Sequence, residues 1–149
     1  MRLALFSHAK TQRRKDYKIM LEENQIAKVV VDSAFQVHKE LGPGLLETVY
    51  EKVLAHELEQ RGLLIETQKT VKIQYKNMTF DNAFKADMVV NNLVIIELKS
   101  VENIIPLYKK QLLTYLRLTN CRLGLLVNFG AALIKDGIAR VANGLPDEY

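Results

Sequence analysis

The hydrophobic period changes partway along this chain, and that change limits the folds open to it. From Glu22 to Leu41 the apolar positions Ile26, Val29, Val30, Ala34, Val37 and Leu41 recur at three- and four-residue steps, one stripe of an amphipathic helix. Gly42-Pro43-Gly44 stops it, because proline disfavours helix at the residue before it and glycine admits unusual dihedrals. A second helix is predicted over about Leu46–Arg61, with Leu46, Val49, Val53, Leu54 and Leu58 inward and Gly62 as its stop. The period then falls to two. Val71, Ile73 and Tyr75 alternate with Lys72 and Gln74 as in a half-buried strand, and Lys76-Asn77 is a turn. A second strand falls within about Thr79–Val90, and Asn91-Asn92, tolerant of positive φ, leads to a third at Leu93–Ser100. Pro106 suits the first turn of a helix over about Leu107–Leu118 that ends at Asn120. Leu123–Phe129 reads as a buried strand, and Gly130 and Gly137 punctuate a weaker last strand or helix. Two helices, three strands, a helix and a strand make an α/β domain with a mixed sheet.

A length of 149 residues allows one such domain and little else. One cysteine, Cys121, excludes an internal disulfide framework and a multi-cysteine zinc site. The longest apolar runs, Leu3–Phe6 and Leu93–Ile96, fall far short of a membrane span or a signal-peptide core, so a cytoplasmic protein without a membrane partner is expected. The net charge of +4 invites a nucleic-acid reading, but its distribution matters more than its sum. Residues 1–20 hold six basic side chains against Asp16 alone, a net +5, whereas the other 129 residues carry 15 basic and 16 acidic groups, a net −1. Residues 1–20 therefore read as a basic N-terminal tail, either a phosphate-binding arm or a solvated extension, ahead of a domain at 21–149.

Four polar groups interrupt the apolar pattern. Asp87 lies inside the second strand, Glu97 and Lys99 follow Val94-Ile95-Ile96 in the third, and Glu47 opens the second helix. Carboxylates are rare in strands and are seldom buried without a partner. A two-residue loop at Asn91-Asn92 would set Asp87 and Glu97 on opposite faces. A three-residue loop or a bulge sets them directly across from each other. The faces then sort as Lys85, Asp87, Val89, Ile95, Glu97 and Lys99 against an apolar set of Ala86, Met88, Val90, Val94, Ile96 and Leu98, so the longer loop is predicted. Two carboxylates so placed repel unless a cation or proton lies between them. All-oxygen ligands favour Mg²⁺ or Mn²⁺, and a lysine alongside can orient water or stabilise charge on a phosphate. The plain alternative is a carboxylate–lysine ion pair on a solvated sheet face.

Asp87 followed by Glu97-Leu98-Lys99 resembles the signature of the PD-(D/E)XK nuclease superfamily, with Ala86 where the name has proline. Gly44-Leu45-Leu46-Glu47-Thr48-Val49-Tyr50 is similar to the motif of the GxxExxY family within it, and the likeness extends from about Glu22 to Asn143, including Asn128-Phe129-Gly130. The resemblance implies a restriction-endonuclease-like core, a mixed β-sheet of four to five strands flanked by helices. It implies that Asp87 and Glu97 bind Mg²⁺ or Mn²⁺, joined by the Leu98 carbonyl and by Glu47, and that Lys99 is the catalytic lysine. Gln111-Leu112-Leu113-Thr114-Tyr115 matches the Q-x-x-x-Y motif of RecB-like members, which gives Gln111 and Tyr115 a supporting catalytic role toward the lysine or a phosphate. Those two residues lie one helical turn apart and can equally be helix-packing groups. Tyr50, beside Glu47, reads as a packing or orienting group.

The expected function is metal-dependent hydrolysis of phosphodiester bonds in DNA or RNA, with homo-oligomerisation left open. The alternatives are a non-catalytic nucleic-acid- or protein-binding module that keeps the fold, and a hydrolase of small phosphorylated molecules. His8, His38 and His56 have no ligand spacing, and no nucleophile elbow or P-loop occurs.

Overall fold

The structure is a computed structural model that describes residues 21–146; the basic segment 1–20 lies outside the described residues. Helix α1 spans Glu23–Leu41. At its start the Glu22 backbone N–H donates to Gln25 Oε1 at 2.9 Å, and Gly42, at φ 69°, ends it in the left-handed region as its composition requires. Helix α2 spans Glu47–Gln60. Strands β1 (Ile65–Tyr75), β2 (Met78–Val90) and β3 (Val94–Lys99) follow. Helix α3 covers Pro106–Thr119, with proline in its first turn and Asn120 as a left-handed cap. Strand β4 (Leu123–Asn128), a short 3₁₀ turn at Ile134–Gly137 and strand β5 (Ile138–Ala142) complete the described chain. Among the described residues no helix is long and apolar enough to cross a membrane.

The five strands form one mixed sheet in the order β1-β2-β3-β4-β5, with β3 and β4 parallel and every other pair antiparallel. The parallel pair lies at the centre because α3 connects its strands across one face, which buries both sides and explains the unbroken apolar runs there. Helices α1 and α2 cover the other face. Ile26, Val30, Tyr50 and Leu54 pack there against Met88, Ile96, Leu98 and Val127. On the α3 side Leu112 and Leu116 meet Val89, Ile95 and Leu126. A Cβ at Gly124 would stand 2.9 Å from Leu112, so the helix can seat on β4 only over a glycine.

The sequence expectations fail in two places. Helix α2 buries Tyr50, Leu54, Ala55 and Leu58, while Leu46 is 74% and Val49 38% exposed. The helix is turned so that the Tyr50 ring stacks on Phe129, with centroids 4.5 Å apart, and this single aromatic contact outweighs the aliphatic stripe that the spacing suggested. Ala86 belongs with Val89 and Ile95 on the α3 side rather than with Met88. Strand β2 changes the face it presents between Ala86 and Met88, where the opposing residue Gln68 sits at φ 51°, so strict alternation does not hold across Asp87.

Candidate active site

Strands β2 and β3 pair Met88 with Ile96, Val89 with Ile95 and Val90 with Val94. The connecting loop therefore has three residues, Asn91-Asn92-Leu93, with both asparagines at positive φ. The same register carried one step further sets Asp87 across from Glu97, as the longer loop predicts. There the side chains take over from the ladder. The Leu98 backbone N–H donates to Asp87 Oδ2 at 2.9 Å, and the Asp87 N–H lies 3.4 Å from Glu97 Oε1.

Glu97 is buried and Asp87 half-buried. Burial, reinforced by the Asp87 charge, pushes the Glu97 carboxyl up to about 9, so at neutral pH it keeps a proton that relieves its conflict with Asp87. The Asp87 carboxylate is braced from outside by Gln68, whose Nε2 donates to Asp87 Oδ1 at 3.3 Å and to Glu51 Oε2 at 2.8 Å.

Glu47 reaches this place through a built loop. Gly44 adopts φ 103°, a conformation that a side chain would strain. The Tyr50 hydroxyl donates to the Gly42 carbonyl at 2.5 Å and accepts the Leu45 N–H at 3.1 Å. Ser100 Oγ donates to the Leu45 carbonyl at 2.6 Å, tying the same loop to the end of β3. The spacing Gly44, Glu47, Tyr50 thus has a mechanical basis: glycine turns the chain, tyrosine anchors the turn, and the glutamate between them opens α2 beside Lys99 and Ser100. Partial burial raises the Glu47 carboxyl above its ordinary range; Lys99 opposes that shift and Asp87 and Glu51 add to it.

Lys99 lies two residues beyond Glu97, and its Nζ sits 4.3 Å from the centroid of the Tyr108 ring on α3. Such a cation–π contact holds the ammonium without neutralising it. Tyr115, two helical turns on, is pushed upward by burial and then by the Glu97 and Asp87 charges, so its hydroxyl remains a donor next to both acids. Gln111 is exposed, and among the described residues no side-chain hydrogen bond joins it to the acids or to Lys99. At the end of β4, Asn128 is buried: its Oδ1 accepts the Val101 and Gly130 N–H groups, both at 3.0 Å, and its Nδ2 donates to the Val101 carbonyl at 2.9 Å. A Cβ at Gly130 would collide with the Val101 backbone, so Asn128 and Gly130 together clamp the segment that leaves Lys99.

Asp87, Glu97, Leu98, Glu47, Lys99 and Tyr115 thus converge on one place, while Gln111 stays at its margin. The residues missed by sequence reasoning are Gln68, Glu51 and Tyr108, and Asn128, singled out within Asn128-Phe129-Gly130, was given no role there. Glu51 follows Glu47 by one helical turn and Tyr108 precedes Tyr115 by two, so helical spacing held a signal for both. Nothing local marks Gln68, whose position depends on a left-handed dihedral in β1.

Among the described residues no group of three His, Cys, Asp or Glu side chains is placed to hold a metal ion. The donors suit a hard cation nonetheless. They are all oxygen, and Mg²⁺ is commonly held by one or two carboxylates while keeping waters for a substrate phosphate. Half-buried Asp87 across from buried Glu97 provides two such carboxyl groups, with Glu47 near enough to act on them by its charge. A family model described as the PD-(D/E)XK nuclease superfamily matches residues 24–141, most of the chain and every residue named above. No curated protein and no solved structure matches it.

Proposed function

The chain belongs to the PD-(D/E)XK nuclease superfamily, and on that premise we propose that it is a nuclease of the GxxExxY type that hydrolyses phosphodiester bonds of DNA or RNA with Mg²⁺ or Mn²⁺. The observation that carries this reading is the pairing of half-buried Asp87 with buried Glu97 at the point where β2 and β3 stop pairing, with Lys99 two residues further along the same strand. Asp87 and Glu97 would hold the cation, with the Leu98 carbonyl and Glu47 completing the oxygen set. When bound, the cation activates water and offsets charge on the phosphate.

The chain's own groups supply the rest. Glu97 would have to be deprotonated to hold the cation, so affinity is expected to rise with pH through the neutral range. Gln68 and the Leu98 N–H keep the Asp87 carboxylate from turning away. Lys99, held on the Tyr108 ring, presents a positive charge to the attacking water or to a non-bridging phosphate oxygen. The water oxygen bonds to phosphorus as its proton passes to solvent, the ester P–O bond breaks, and the leaving oxygen takes a proton from solvent. The Tyr115 hydroxyl, kept protonated beside the two acids, donates to a phosphate oxygen.

Purified full-length protein tested on single-stranded, duplex and structured DNA and RNA, with and without Mn²⁺, decides the matter. Cleavage that needs Mn²⁺ and disappears in Glu97→Ala and Lys99→Ala is expected. Binding with no cleavage of any substrate would make the chain a non-catalytic module instead.

A further inference from the structure

The β1–β2 hairpin runs well past the rest of the sheet. Strand β3 pairs with β2 only at Met88–Val90, so the stretch from Lys69 to Lys85 has no third strand beside it. One face of this arm is apolar along its whole length. Val71 pairs with Phe84, Ile73 with Phe80 and Tyr75 with Met78, and cross-strand partners share a face. Tyr75 is 61%, Met78 54% and Phe80 43% exposed, which is unusual for three large side chains on one ribbon. A bulge makes the pattern: the register shifts between Val71 and Ile73, and without that shift Ile73 would face Asn82 instead of Phe80. The face is continuous with the candidate active site, because the Phe84 ring stacks on Tyr115 with centroids 3.9 Å apart and planes 3° from parallel.

Resting on the nuclease reading, we propose that this arm is a stacking platform that takes single-stranded nucleic acid and feeds it to the acids beneath Tyr115. The aromatic rungs are two residues apart, roughly 6.6 Å. That is about twice the ~3.4 Å rise of stacked bases, so the platform suits a stretched strand with splayed bases and cannot follow a duplex. Charge fits as well. Lys69 and Lys72 are engaged by Glu66 and Asp81, whereas Lys76, its Nζ 5.5 Å from the Tyr75 centroid, stands at the tip of the arm as a cation for a phosphate. A second copy of the chain is the other candidate occupant. A ribbon two strands wide offers less than the roughly 800 Å² per partner that a stable dimer needs.

The test uses the full chain in EDTA, so that binding is read without cleavage. Fluorescence anisotropy with a labelled oligothymidylate and with a duplex of equal length compares wild type, Tyr75→Ala and Phe80→Ala. Both positions are exposed, so folding is spared. Each variant is expected to lose about tenfold in single-strand affinity and little in duplex affinity. The chain has no tryptophan. Phe80→Trp therefore supplies a lone reporter whose emission falls when a base stacks on it. Unchanged single-strand binding in both alanine variants overturns the proposal, as does a wild-type dimer that they dissociate while binding is unaffected. Metal-dependent cleavage identical in wild type and both variants removes the platform and leaves the nuclease. Ring-dependent binding without cleavage of any substrate leaves the platform and removes the nuclease.

Discussion

Strand β2 is one continuous strand with two different fates. Its inner end, Ala86–Val90, is buried between layers, whereas its outer end, Met78–Lys85, is exposed or half-exposed although it carries Met78, Phe80 and Phe84. Hydrophobic content does not separate them. The inner end has β3 beside it and helices on both faces; the outer end has β1 and, beyond the Phe84–Tyr115 stack, nothing else against it among the described residues. Asp87 stands at the boundary, where a carboxylate can reach water and still be held by the Leu98 N–H. A reactive acid needs that intermediate placement, dry enough to couple strongly to Glu97 and open enough to meet a substrate.

The contrast can be broken or sharpened by experiment. Glu97→Ala or Lys99→Ala should lower the cleavage rate by about 10³-fold or more while the far-ultraviolet circular dichroism stays that of wild type. A fully active variant of either kind would move the chemistry elsewhere. Met88→Ala at the inner end should cost about 2–5 kcal/mol in urea unfolding, because it leaves a cavity in a fully buried site. Phe80→Ala at the outer end should cost under about 1 kcal/mol. Equal losses would mean that the arm is packed in solution. Between the two lies Asn128→Ala, which removes three hydrogen bonds at a buried position and should cost roughly 1–3 kcal/mol while lowering activity through the displaced β3 terminus.

The Glu97 proton provides a subtler test. Between its ordinary 4.5 and about 9, folded Glu97 holds a proton that the unfolded chain has released. Stability in EDTA therefore falls as pH rises through that window. Glu97→Gln should remove the slope and raise the melting temperature above wild type by about 3–6 °C near pH 8. Excess Mn²⁺ should stabilise wild type and leave the variant unmoved. A wild-type melting temperature that is flat or rising over this range would mean that Asp87 and Glu97 are not coupled in a dry setting.

The broad fold was legible because it depends on local rules. Periods of 3.6 and 2, the stop at Gly42-Pro43-Gly44, proline at the head of α3 and Asn120 at its end are each written in neighbouring residues. The juxtaposition of Asp87 and Glu97 was legible for a related reason: the length of the Asn91-Asn92-Leu93 loop fixes the register of β2 on β3, although alternation along β2 itself breaks at Asp87. The failures share a different cause. Tyr50 rather than Val49 faces inward because Phe129, far along the chain, supplies a ring to stack on. Ala86 changes sides because Gln68 on the neighbouring strand adopts a left-handed dihedral.

The amino-acid sequence by itself determined the α/β class, the order of elements and the pairing of Asp87 with Glu97, since periodicity, capping and register act over a few residues. Only the tertiary structure decided how far each element would be covered. That is why Gln68 meets Asp87, Tyr108 meets Lys99 and Asn128 clamps the segment after it, and why half of an apolar hairpin stays in water: burial depends on what the rest of the chain brings alongside, and no local pattern encodes the presence of a third layer.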